Sequence, residues 1–264
     1  MTSRRRKPSW LFAALCAMSL LMASRGVGAG DPASGGLVVF GNFMRINHSG
    51  DASGQVKLAD LPASQGHWGL GALAGMAGEA LLFDGRLLVS PGGDAQGTAS
   101  SPRPGDEAAL FVWAQVRDWD EVVVPAAMAQ ADFEAFLAKE SRSRGMAADR
   151  PFLFLVQGRY PQLVWHVVNG TQGHGAASGG GHGPHVNKHA AMQVFDRPAS
   201  GGWLVGVYSG ARFEGVVSHP GERLHLHYVN EALSASGHVD EYSVAGGAIL
   251  KLPRPTQASG APAP

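Results

Sequence analysis

The sequence predicts an α+β protein dominated by strands. Short apolar runs rich in Val, Leu, Phe and Tyr recur along the chain, and 37 glycines break it into turns. One segment alone, residues 131–143, carries a convincing helical pattern, with Phe133, Phe136 and Leu137 on one face. The strand-like runs are 37–40, 80–83, 87–90, 109–114, 152–157, 162–168, 203–208 and 224–229. Asp84-Gly85, between 80–83 and 86–89, has the composition of a two-residue hairpin turn. A second, weaker helix is expected to begin near Leu58. Gly69-Leu70-Gly71 and Gly75 lack the spacing of a phosphate loop and read as tight turns between strands.

The ends differ in composition from the body. Arg4, Arg5, Arg6 and Lys7 precede an apolar run from Trp10 to Ala23, followed by the small residues Val27-Gly28-Ala29. That order predicts a secretory leader over residues 1–29, and hence a periplasmic or secreted protein. The run is shorter than the roughly 20 residues of a membrane span. Cys16, the single cysteine, falls in the leader, so the body from residue 30 has no disulfide and no thiolate ligand. Five of the 21 basic residues also fall there, leaving 16 against 21 acidic, a net charge of −5. No basic patch interleaved with aromatics suggests nucleic acid. Residues 30–257 form the expected domain, and the Pro/Ala-rich segment 258–264 is expected to be a disordered tail. Residues 170–188, rich in Gly, Ser and His, read as a loop insertion. Its histidines (His174, His182, His185, with His189 beside it) either capture metal and pass it to the site, cap the site as a lid, or are simply solvated.

The chemistry concentrates in Leu224-His225-Leu226-His227-Tyr228. On a strand, alternate side chains face opposite sides, so His225 and His227 share a face away from Leu224, Leu226 and Tyr228. A bare His-x-His also fits two surface histidines. His238, beyond a turn near Ser234–Gly237, is placed to add a third imidazole from an antiparallel neighbour. Three histidines with an open position describe a catalytic zinc site, although imidazole also suits nickel, copper, iron and cobalt. Glu79 shares a strand face with Leu81 and Phe83. Either it is a buried carboxyl capable of acid/base work, or it sits solvated at the strand's edge. No G-x-S-x-G elbow supports a serine hydrolase.

Two groups of motifs then resemble one family. Gly66-His67-Trp68-Gly69-Leu70-Gly71, Gly78-Glu79 and Phe83-Asp84-Gly85 resemble the first signature of the α-acetolactate decarboxylases. Leu204-Val205-Gly206-Val207-Tyr208-Ser209, His225-Leu226-His227-Tyr228 and Gly237-His238-Val239 resemble the second, with agreement over roughly Val38 to Pro253. The resemblance implies a two-lobed fold with mixed or antiparallel sheets and few helices, often dimeric, with zinc between the lobes. It implies His225, His227 and His238 as metal ligands and Glu79 as an active-site carboxyl. The implied reaction converts (S)-2-acetolactate, a 2-hydroxy-3-oxo acid, to (R)-acetoin and CO2. His166 stands where the family has an arginine for the substrate carboxylate, with Arg159 and Arg212 as other candidate cations. The family's C-terminal glutamate has no evident counterpart. The second function open at this point is an exported member that keeps fold and metal but binds metal or a small ligand without turnover.

Overall fold

The computed structural model describes residues 27–28, 36–170 and 192–254. The tail, nearly all of the leader and the His-rich segment from residue 171 lie outside the described residues. Two antiparallel sheets face each other. The first holds β1 (Val27–Gly28), β2 (Val38–Phe40), β3 (Val56–Lys57), β4 (His67–Leu73), β5 (Gly78–Phe83), β6 (Arg86–Pro91) and β7 (Glu107–Gln115), in the order β1-β2-β7-β4-β5-β6 with β3 also on β7. The second holds β8 (Trp119–Val123), β9 (Met128–Ala129), β10 (Phe152–Tyr160), β11 (Leu163–Val168), β12 (Met192–Asp196), β13 (Ser200–Tyr208), β14 (Leu224–Asn230), β15 (Ser236–Val244) and β16 (Ile249–Pro253). Its order is β12-β11-β15-β14-β13-β10-β16-β8, with β9 on β15. Every pair between these strands is antiparallel.

The second sheet is buried on both faces, and alternation shows how. On β10, Phe152, Phe154 and Val156 join Phe133 and Leu137 of the helix α2 (Gln130–Ser143) in one core. Leu153 and Leu155 instead join Leu70, Leu81 and Val112 of the first sheet in another. On β14, Leu224, Leu226 and Tyr228 lie on the α2 side and Val229 on the inter-sheet side. His225 and His227, in alternation with them, therefore face the first sheet. Glu79, in register with Leu81 on β5, faces the second.

The Asp84-Gly85 turn has positive φ at both residues (49° and 82°), as a two-residue hairpin requires. Two expectations are corrected. Near Leu58 the chain makes a single 3-10 turn, Leu58–Asp60, while the additional α-helix is α1 (Phe43–Ser49). Gly69 and Gly71 do not turn the chain; both lie within the buried strand β4. A Cβ at Gly71 would sit 2.0 Å from the Leu110 carbonyl oxygen, so the absence of a side chain lets β4 approach β7. Gly75, at φ +69°, does occupy a turn.

β14 and β15 form a hairpin paired over three positions: His227 with His238, Tyr228 with Gly237 and Val229 with Ser236. The Asn230 side chain closes it by accepting from the Ser234 and Ala235 amides. Beyond His227 and His238 the strands part, β14 staying on β13 and β15 on β11. A cavity of about 910 Å³ opens there, walled by Leu224 and Leu226 on one side and Val239, Asp240 and Tyr242 on the other.

Candidate metal centre

Antiparallel register sets three histidines in one row across adjacent strands. His227 on β14 lies opposite His238 on β15, and His238 lies opposite His166 on β11. His225, two residues before His227, adds a fourth ring to the same face. The rings of His225, His227 and His238 are 5.0–5.6 Å apart, centre to centre. His225 and His227 are buried, and His238 keeps partial exposure to the cavity it lines.

Each of these three rings offers a nitrogen within 4.8 Å of the other two. His225, His227 and His238 would each hold a divalent ion through one ring nitrogen. His225 donates from Nδ1 to the Val217 carbonyl at 2.9 Å, which leaves the Nε2 lone pair for an ion. His227 is 0 % exposed, and neither of its ring nitrogens has a hydrogen-bond partner. A buried imidazole left in that state is costly unless something takes its lone pair. Burial is the main cause holding all three imidazoles well below the ordinary value of 6.5, with repulsion between neighbouring rings added. Neutral rings are what metal coordination needs. The three fit a divalent metal.

Glu79 reaches in from the facing sheet. Its Oε2 is 3.6 Å from His227 Nε2, and its Oε1 accepts a long 3.4 Å bond from the Val168 amide. At 4 % exposure it is no solvated strand edge. Burial raises its pKa well above 4.5; the Val168 amide opposes this, and the Asp240 charge adds to it. Burial thus disfavours the charged form of this carboxyl as it does that of the imidazoles beside it.

His166 is buried, with its ring 4.9 Å from that of His238, but lies outside the three-nitrogen set. Its Nδ1 donates to both Asp240 oxygens, at 2.8 and 2.9 Å. The other candidate cations are elsewhere: Arg159 donates to the Ala199 carbonyl, and exposed Arg212 lies 3.6 Å from Asp149. Among the described residues that line the cavity, Arg223 is the one arginine or lysine, and it pairs with Glu214 at 3.4 Å.

Three residues near the site escaped the sequence analysis. Asp240 was detectable, since it follows His238 by two on the same strand. His219, before a Pro-Gly turn, carries no periodic signal, yet its ring lies 5.9 Å from that of His238. Phe43, the first residue of α1, packs on His219 at 4.2 Å and against His225 at 5.2 Å.

Fold and site together define a two-sheet protein with a candidate three-histidine metal centre between its sheets. A family model described as alpha-acetolactate decarboxylase matches residues 42–252, and the chain belongs to that family. The crystal structure of alpha-acetolactate decarboxylase from Bacillus subtilis strain 168 is similar at TM-score 0.64 and 19% identity, over 84% of this chain and 90% of that one. A protein of unknown function from Staphylococcus aureus, described as similar to alpha-acetolactate decarboxylase, matches at TM-score 0.63 and 14% identity, over 81% of this chain and 84% of that one. No curated protein matches the chain. The structural likenesses agree with the strand-rich, helix-poor class predicted from sequence.

Proposed function

We propose that this protein decarboxylates (S)-2-acetolactate to (R)-acetoin and CO2, with a zinc or similar divalent ion held by His225, His227 and His238. The observation that carries this reading is the buried Glu79 carboxyl, 3.6 Å from His227 Nε2 opposite the candidate ligand set, where burial favours its protonated form. A protein that only stored metal would have little use for an acid held in that state. When bound, the ion supplies Lewis acidity to the adjacent hydroxyl and keto oxygens of the substrate.

The chain's own residues account for the rest. Cleavage of the bond to the carboxylate releases CO2 and leaves its electron pair on the hydroxyketone skeleton as an enediolate. Glu79, approaching from the first sheet only, delivers its proton to one face of that carbon, which sets the configuration of acetoin. It then regains a proton from solvent. His166 is assigned to the substrate carboxylate, its ring fixed by Asp240. The packed strands β4, β5 and β7 behind Glu79 keep bulk water from the reacting carbon. The protein is proposed to act outside the cytoplasm as a homodimer, after loss of residues 1–29, a cleavage that would remove the two-residue strand β1 and leave β2 as that edge of the first sheet.

One observation favours the second reading, metal or small-ligand binding without turnover. The fixed positive charge in the cavity, Arg223, is engaged by Glu214. Incubating zinc-loaded protein with racemic acetolactate and resolving the acetoin enantiomers separates the two. The decarboxylase reading expects (R)-acetoin in excess over the spontaneous product. No acetoin above the spontaneous rate, with zinc bound, establishes the second reading instead.

A further inference from the structure

We propose that the aromatic cavity at the end of the inter-sheet space away from the candidate metal centre binds a neutral sugar, a role independent of the decarboxylase reading. The cavity has a volume of about 720 Å³, within the range of small-molecule sites and ample for a disaccharide. Trp203, Leu155, Lys251 and Trp119 form one wall, from β13, β10, β16 and β8, four adjacent strands of the second sheet. The other wall comes from residues 64–66 before β4, Asp84 in the β5–β6 turn and Arg117 just after β7. Trp68 is the buried indole of the lining, 8 % exposed, with its Nε1 used by the Val116 carbonyl. Trp119 and Trp203 are half-buried and present ring surface to the cavity.

The polar groups of the lining decide the class of ligand. Ser64 Oγ lies 3.0 Å from His67 Nδ1, and Asp84 Oδ1 accepts from the Gly66 amide at 2.7 Å. Lys251 Nζ donates to Glu121 at 2.7 Å and lies 5.5 Å from the centre of the Trp203 ring. The Gln65 and Arg117 side chains have no partner among the described residues. Gly66 makes room for the stem of Arg117: a Cβ there would lie 3.1 Å from Arg117 Cγ. The Val116 amide, donating to the Gly66 carbonyl at 2.7 Å, ties the two segments together. The charges balance, with Arg117 and Lys251 set against Asp84 in the lining and Glu121 beside it. An anion drawn to Arg117 meets Asp84, and a cation drawn to Asp84 meets Arg117. An uncharged ligand rich in hydroxyls uses both signs, donating to the carboxylate and the Gln65 carbonyl while accepting from the guanidinium and the Gln65 amide. A sugar ring adds C–H faces that suit the half-buried indoles.

Calorimetric titration of the whole protein with cellobiose, maltose and N,N′-diacetylchitobiose tests the proposal, with 2-naphthoate as an apolar anion for comparison. At least one of the three disaccharides is expected to bind with a Kd below about 10 mM. Arg117→Met keeps a stem over Gly66 and removes the donors, and is expected to weaken that sugar about ten-fold, the size of a hydrogen bond to a charged group. Trp119→Leu removes half-buried ring surface and is expected to weaken it by about ten-fold as well. Arg117 is exposed, so its variant is expected to keep the wild-type urea midpoint. Should Trp119→Leu fail to fold, Arg117→Met decides alone. Failure of all three sugars to bind below about 10 mM overturns the proposal, and naphthoate binding in their place assigns the cavity to an apolar anion instead. Sugar binding that is unchanged in either folded variant places the sugar elsewhere on the protein and overturns the proposal too.

Discussion

The two ends of the space between the sheets are built on opposite principles. At one end Trp68, Phe83, Trp119 and Trp203 pack edge to face with ring centres 5.0–5.7 Å apart, and Trp68 Nε1 donates to the Val116 carbonyl. Apolar area is removed from water there and the polar atom of Trp68 is satisfied. At the other end two buried imidazoles and a buried carboxyl crowd together, and both His227 nitrogens lack a partner. The first arrangement stabilises the sandwich, and the second costs stability until a ligand completes it. Fold and chemistry are thus assigned to different ends of one gap, so substitutions at each end should separate them.

The largest separation is expected from His227→Ala. It should abolish retention of stoichiometric zinc through desalting, and acetoin formation with it, while the metal-free protein unfolds at a temperature no lower than wild type. A metal-free protein markedly destabilised by this change would contradict the contrast. At the aromatic end, Trp68→Ala should cost about 3–5 kcal/mol in urea unfolding, with zinc affinity of the folded protein unchanged. Glu79→Gln should keep zinc and slow turnover about 100-fold or more. Full activity in that variant would remove Glu79 from the proton transfer.

Acid should distinguish the ends as well. The folded imidazoles titrate well below 6.5, whereas the unfolded chain titrates near that ordinary value. As pH falls below 6.5 the unfolded state takes up protons first. The metal-free protein should therefore lose about 1.4 kcal/mol per pH unit for each imidazole that stays neutral. Glu79, raised above 4.5, acts in the opposite sense: its contribution is complete below 4.5 and is lost as pH rises through the folded value. Urea titrations of metal-free protein across pH 4–8 should show the acid limb, and His227→Leu should flatten it. The smallest effect is expected from Asp240→Asn, which keeps the ring of His166 in place but weakens its hold. A rise in KM of a few-fold to about ten-fold, with kcat less affected, fits loss of a charge-assisted bond.

Much of this contrast was legible in the residues. The Leu/His alternation of β14 sorts His225 and His227 from the α2-facing core, and the same rule turns Glu79 inward with Leu81. Register was harder to read. That His238 falls opposite His227 depends on a five-residue turn closed by the Asn230 side chain, a detail that hydrophobic pattern does not encode. β4 was misread because glycine signals turns by composition, whereas Gly69 and Gly71 serve close approach to β7. α1 is short and carries mixed residues. Its signals were Asn42, whose side chain accepts from the Arg45 amide, and Gly50 at φ 67°, which ends it. His219 comes from a loop whose position depends on α1, so no local pattern could reveal it.

The short pairing of β14 with β15 also has a mechanical consequence. It divides the second sheet into two blocks, β8-β16-β10-β13-β14 and β15-β11-β12, stitched by three residue pairs. His227 and His238 would add a fourth stitch at the end of that seam if they held one ion together. Loading should then slow amide hydrogen exchange on both sides of the parting, in Leu226 and Val239 as much as in the histidines themselves. On the proposed reading the binding centre would also act as a clasp, and the metal-free protein should exchange fastest along this short seam.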